Sequence, residues 1–214
     1  MTSKSPSSTA VDAVIQGEVK LLLKAEGFRK TGRSFHRARG EFTQVVNIQA
    51  SQWNSPDSAS FTVNLNVVLP FLHEIWTGRP LPKNPASAAP ICSQRIGMLL
   101  PDRKDTWWTV MPKSDPAEIS DEVAQLIRIV GLPFLDQAAN TQYLCEQLGA
   151  DEYFSRCQMS KPLASLAYAI LLCHLGSRDE AKIDIERTQS ANRIAGFSET
   201  IAKISARLGF GDGD

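Results

Sequence analysis

Ser60-Phe61-Thr62-Val63-Asn64-Leu65-Asn66-Val67-Val68-Leu69 decides the fold. Its odd positions, Phe61, Val63, Leu65, Val67 and Leu69, are all apolar, and Thr62, Asn64 and Asn66 alternate with them. Side chains along a strand point to opposite faces with a period of two, so the run predicts a strand with one buried and one polar face. The run before it, Phe42 to Ser51, repeats the pattern less strictly. Phe42, Val46, Ile48 and Ala50 fall on one parity, with Thr43, Asn47 and Gln49 on the other. Arg33 to Ala38 reads as a further strand, and Arg39-Gly40 supplies a tight turn between them. An antiparallel sheet with one face on a core follows.

Upstream, Val11, Val14, Ile15, Val19, Leu22 and Leu23 recur at helical spacing, which predicts a helix from Thr9 as N-cap to Glu26, stopped by Gly27. Residues 1–8 read as a disordered tail. Downstream, five of the chain's twelve prolines lie between Pro70 and Pro90. They predict an irregular loop over 70–93 with a short helical turn near Phe71 to Trp76, either a lid or a tolerated insertion. Short strands at Arg95 to Leu100 and Thr106 to Met111 bring the sheet to four to five strands.

From residue 113 the chain turns helical. Asp115-Pro116-Ala117-Glu118 combines an N-cap, a proline at the first helical position and an early acid. Further helices are expected at about 134–148, 151–158, 161–175, 178–192 and 198–208, with Gly149, Gly176 and Gly209 as stops. Ser177-Arg178-Asp179-Glu180 reads as a capping box. The fold class is therefore α+β: an N-terminal helix packed on an antiparallel sheet (9–112), then an all-helical extension or subdomain (113–209) and a disordered tail (210–214).

Composition narrows the function classes. The 214 residues are 43% hydrophobic and carry 23 basic and 23 acidic side chains, for a formal charge of zero. That balance argues against broad electrostatic binding to nucleic acid or membranes, though not against a local patch. Cys92, Cys145, Cys157 and Cys173 include no closely spaced pair of the kind a structural zinc site uses, so no metal site is expected. Met1 to Ser8 is polar and lacks a leader's apolar segment. The longest apolar run, Leu163 to Leu175, falls short of the roughly 20 residues that span a bilayer. Reduced thiols and a cytoplasmic location are the expectation. Phosphate-loop, dinucleotide and serine-hydrolase motifs are missing, so no cofactor is implied.

Gly27-Phe28-Arg29-Lys30, Arg33-Ser34-Phe35-His36-Arg37 and Val46-Asn47-Ile48-Gln49 resemble, in order and spacing, a bacterial domain-of-unknown-function family, number 4304. Phe61-Thr62-Val63-Asn64-Leu65, Arg95-Ile96-Gly97 and Asp105-Thr106-Trp107-Trp108 extend the resemblance to about residues 19–112. It implies a fold and supplies no catalytic roles.

Four candidate sites stand against plainer readings. Asn47, Gln49, Asn64 and Asn66 project from one sheet face, where amides both donate and accept; the alternative is a solvated or internally bonded face. Arg29, Lys30, Arg33, Arg37 and Arg39, interleaved with Phe28 and Phe35, suit nucleic acid, yet also suit a charged edge that blocks aggregation. His36 becomes a candidate base only if Asp102 or Asp105 stands beside it. Trp107-Trp108 sends one indole to each face, and with Trp53 and Arg95 the outward one lines a pocket or interface. The preferred function is a non-catalytic cytoplasmic binding module for a protein or small ligand. A nucleic-acid-binding protein comes second, and a hydrolase third.

Overall fold

Val11, Val14, Ile15, Val19, Leu22 and Leu23 do form one buried stripe. In the computed structural model, which describes residues 6–149, 159–192 and 195–210, they belong to α1 (Pro6–Val14), a π turn (Ile15–Val19) and α2 (Lys20–Ala25). Among the described residues the helix already includes Pro6, so Thr9 lies inside it and Pro6 to Ser8 are helical rather than tail. Residues 1–5 lie outside the described residues. Gly17 breaks the helical geometry at ψ −139°, and a Cβ there would stand 2.6 Å from Ser120 Oγ. That hydroxyl accepts from the Val19 N–H at 3.2 Å, satisfying a buried donor at the break. Gly27, at φ +81°, ends the helix as the sequence predicts.

Among the described residues the sheet has six strands: β1 (Arg29–Thr31), β2 (Ser34–Arg39), β3 (Phe42–Ala50), β4 (Ala59–Val68), β5 (Cys92–Arg95) and β6 (Trp108–Val110). Their order is β1-β2-β3-β4-β5, with β6 also on β4, and every pairing is antiparallel. The strand beyond the expected four to five is β1, whose three residues are all exposed and so carry no alternation. Arg95 to Leu100 is not a strand; β5 ends at Arg95 and Ile96–Leu99 forms a 3-10 turn. The cause is competition for one edge. β6 already pairs with Ala59 to Phe61 of β4, so β5 cannot run far past its Arg95–Asn64 pair.

The inner face, with Phe42, Val46, Ile48, Phe61, Val63, Leu65 and Val67, is buried in one cluster that extends through the helices. The outer face is treated unequally along its length. At one end Val45 and Val68 are buried beneath Leu81, Ala86 and Ala88. The proline-rich segment is thus ordered in two parts: α3 (Pro70–Thr77) packs into the main core through Leu72, and a strap with a 3-10 turn (Pro85–Ser87) runs over the outer face from Leu81 to Ala88. At the other end lie the amides.

Asp115 caps α4 (Pro116–Leu126) by accepting from the Ala117 N–H at 2.8 Å. A π turn (Ile127–Gly131) leads into α5 (Leu132–Ala138). Pro133 has no N–H to donate to a regular helical ladder, and the wider turn accommodates it. The single helix expected over 134–148 is interrupted after α5. Ala139 leaves helical geometry at ψ 45°, and Asn140 Oδ1 caps the Tyr143 N–H of α6 (Thr141–Gly149) at 2.8 Å. The expected 151–158 helix lies outside the described residues.

Next come α7 (Lys161–His174), α8 (Arg178–Ala191) and α9 (Ala195–Leu208). The Ser177 capping box does not form. Its reciprocal bond needs the Ser177 N–H, which instead donates to Leu172 O at 2.9 Å in the turn through Gly176. Phe210 is not tail; the Arg178 guanidinium stacks over its ring at 4.8 Å. Two contacts tie the C-terminal helices to the sheet and to α3. Glu41, in the β2–β3 turn, pairs with His174 and accepts from Thr141 Oγ1. Arg207 donates to the carbonyls of Ile75 and Trp76 at the end of α3, at 2.8 and 3.0 Å. No helix among the described residues is long and apolar enough to cross a membrane.

Candidate binding face

The register of the central strands places Asn47 opposite Asn64, with Ser34 and Arg95 opposite them on the flanking strands. Ser34, Asn47, Asn64 and Arg95 therefore form one row across four strands. Gln49 and Thr62 form the next row. Hydrogen bonds link them: Asn47 Nδ2 donates to Ser34 Oγ at 2.8 Å, and Asn64 Nδ2 donates to Asn47 Oδ1 at 3.3 Å and Gln49 Oε1 at 2.8 Å. Asn66 stands apart, accepting from Ser93 Oγ at 2.7 Å. Three of the four predicted amides are thus brought into one bonded group, away from Val46, Ile48, Val63 and Leu65 on the buried face.

Several valences remain unspent. Among the described residues no group bonds to Asn64 Oδ1, Gln49 Nε2 or Asn66 Nδ2. Gln49 is exposed, and Asn47, Asn64 and Asn66 are half-buried. The face offers one free acceptor between two free donor groups.

Arg95 closes the row. Its guanidinium pairs with Asp105 and lies 5.3 Å from the centre of the Trp107 ring. Trp107 Nε1 donates to the same carboxylate at 3.0 Å. Asp105 thereby fixes both a cation and an indole beside the amides. The neighbouring Trp108 takes the opposite face, stacked on Phe61 and bonded to Glu122 at 2.9 Å. Trp53, at 85% exposure, lies in the β3–β4 loop and outside this bonded group. Ser34 and Asp105 are the members that sequence reasoning did not assign here. Ser34 was legible as the partner of Asn47 once the hairpin register is drawn; Asp105 gives no local signal.

The family whose description reads Domain of unknown function (DUF4304) matches residues 19–137. The chain belongs to this family. The DUF4304 region contains the whole amide row with Arg95, Asp105 and Trp107, and runs on through α4 into α5, beyond the resemblance seen in the strands. No curated protein and no solved structure matches the chain.

Other candidates within the DUF4304 region are dispersed. His36 is on β2 and Asp105 lies beyond β5, with β3 and β4 between. That is roughly 14 Å at a strand spacing of about 4.8 Å, so no dyad forms. Asp102 pairs instead with Lys104. The basic stretch is partly consumed: Arg33 bonds Asp12 at 2.8 Å, and Arg37 bonds Asp136 at 2.8 Å and the buried Gln44 at 2.7 Å. Among the described residues no three His, Cys, Asp or Glu side chains are grouped to hold a metal.

Proposed function

We propose that this protein is a non-catalytic cytoplasmic binding module, which takes an extended segment of a partner polypeptide on the open half of its outer sheet face. The observation that carries the reading is the free acceptor of Asn64 between the free donors of Gln49 and Asn66. A peptide main chain repeats donors and acceptors, and carboxamides match both. Internal bonds already hold the amides in place, which reduces the ordering cost of binding. Arg95 and Trp107 add the residue types that anchor interfaces. Among the described residues Cys145 and Cys173 are free thiols, which accords with a reducing compartment.

The test is photocrosslinking in the native host. Gln49→p-benzoylphenylalanine is expected to yield one discrete protein adduct, absent when Arg95→Ala is added. The same probe at Leu21, exposed on α2, serves as control. Adducts that are equal at both positions, or lacking at Gln49, refute the reading.

A second reading has one specific observation behind it. Arg29, His36 and Arg39 line a cavity of about 380 Å³, and His36 Nδ1 is buried without a partner among the described residues. An oligonucleotide held there would show affinity falling steeply with salt. Salt-insensitive or undetectable oligonucleotide binding dismisses it.

A further inference from the structure

A second concavity lies on the other side of the sheet, where β5 meets α5 and α6. Its volume is about 330 Å³, at the lower end of the range for small-molecule sites. Met98, Leu99 and Phe134 give it an apolar wall, while Gln94 and Gln137 bring carboxamides. Gln94 is 3% exposed and accepts from the Arg95 N–H at 3.1 Å through Oε1, so it is held as part of the cavity wall.

The third component is Arg103. It lines the same cavity, and it pairs with no carboxylate among the described residues. Its φ of +47° makes it the sole non-glycine residue with positive φ among them. The turn that imposes this conformation is closed by Arg103 N–H donating to Leu100 O at 2.9 Å. Left-handed backbone in a turn is ordinarily left to glycine or asparagine, because a Cβ is crowded there. An arginine at such a place points to a use for its side chain.

We infer that this cavity binds a small monocarboxylate with an apolar body. The apolar part packs on Met98, Leu99 and Phe134, the carboxylate takes the Arg103 guanidinium, and Gln137 serves any further polar atom. A guanidinium–carboxylate bond is charge-assisted and favours the acid over its neutral amide. This site is independent of the outer amide face, so either can fail alone.

The experiment uses the full chain labelled with [13C]methyl-methionine, titrated with 3-phenylpropanoate and, separately, 3-phenylpropanamide. Of Met1, Met98, Met111 and Met159, Met98 is the one that lines the cavity. Its methyl signal is expected to shift saturably with the acid, at about tenfold lower concentration than with the amide. Arg103→Gly should erase that preference while the melting temperature holds or rises, because glycine relaxes the backbone. Arg103→Asn, which also tolerates the left-handed region, should do the same. The inference is overturned by an unresponsive Met98, by equal affinity for acid and amide, or by variants that keep the preference.

Discussion

Gly97 lies against Thr106 so closely that a Cβ on the glycine would stand 2.6 Å from the Thr106 backbone nitrogen. The Lys104 carbonyl is nearer still. This contact sets the path of the loop that carries Asp105, and so the place of Trp107 beside Arg95. Gly97→Ala forces backbone apart in a position where no flexible side chain can yield. We expect a loss of about 1–3 kcal/mol, the usual cost of overpacking, measured by urea unfolding. Trp107 should report the displacement as altered fluorescence, taking Trp107→Phe as the reference. A change below about 0.5 kcal/mol, typical of surface sites, would show that the loop gives way freely.

Leu65 sits mid-strand on β4 and is fully buried. Truncation leaves a cavity as well as losing apolar burial, so Leu65→Ala should cost about 2–5 kcal/mol. A denaturant melt reads this directly, and a near-neutral result would be incompatible with the β4 register.

Glu41 is expected to make the stability of the helix docking depend on pH. The hydrogen bond from Thr141, and then those and the charge of His174, hold its pKa below the ordinary 4.5 despite partial burial, which acts in the opposite direction. A carboxyl whose folded pKa is depressed contributes stability that is present above its unfolded pKa and is lost as pH falls through the folded one. Glu41→Gln removes that titration. The stability difference between neutral pH and about pH 3.5 should therefore be smaller in the variant than in the parent. Equal acid losses in both proteins would place the sensitivity elsewhere.

The sheet was readable because period two is a local property: Phe61 to Leu69 declares both its faces without knowledge of its neighbours. The same holds for Asp115, whose cap involves only residues two apart. What escaped was set by competition or by distance. β5 stops at Arg95 because β6 holds the rest of the β4 edge, and no residue near Arg95 encodes that. The Ser177 box fails because Leu172, in the preceding helix, takes its N–H. The strap over Val45 and Val68 comes from a segment whose prolines look irregular in isolation. At the site, alternation put Asn47, Gln49 and Asn64 on one face, but the Asp105 link between Arg95 and Trp107 needs the tertiary turn that Gly97 permits.

Asn64 offers the most direct test of the binding face. Asn47 is less suitable, since its amide donates to the buried Ser34 hydroxyl, and stranding such a partner costs on the order of 1–3 kcal/mol. Among the described residues the Asn64 side chain donates only to the side-chain oxygens of Asn47 and Gln49, of which Gln49 is exposed, so water can replace it. Thermal unfolding of Asn64→Ala, together with the yield of the Gln49 crosslink in the same variant, separates architecture from binding. The account predicts stability within about 0.5 kcal/mol of the parent and loss of the adduct. A destabilised protein, by more than about 1 kcal/mol, that still forms the adduct would contradict it.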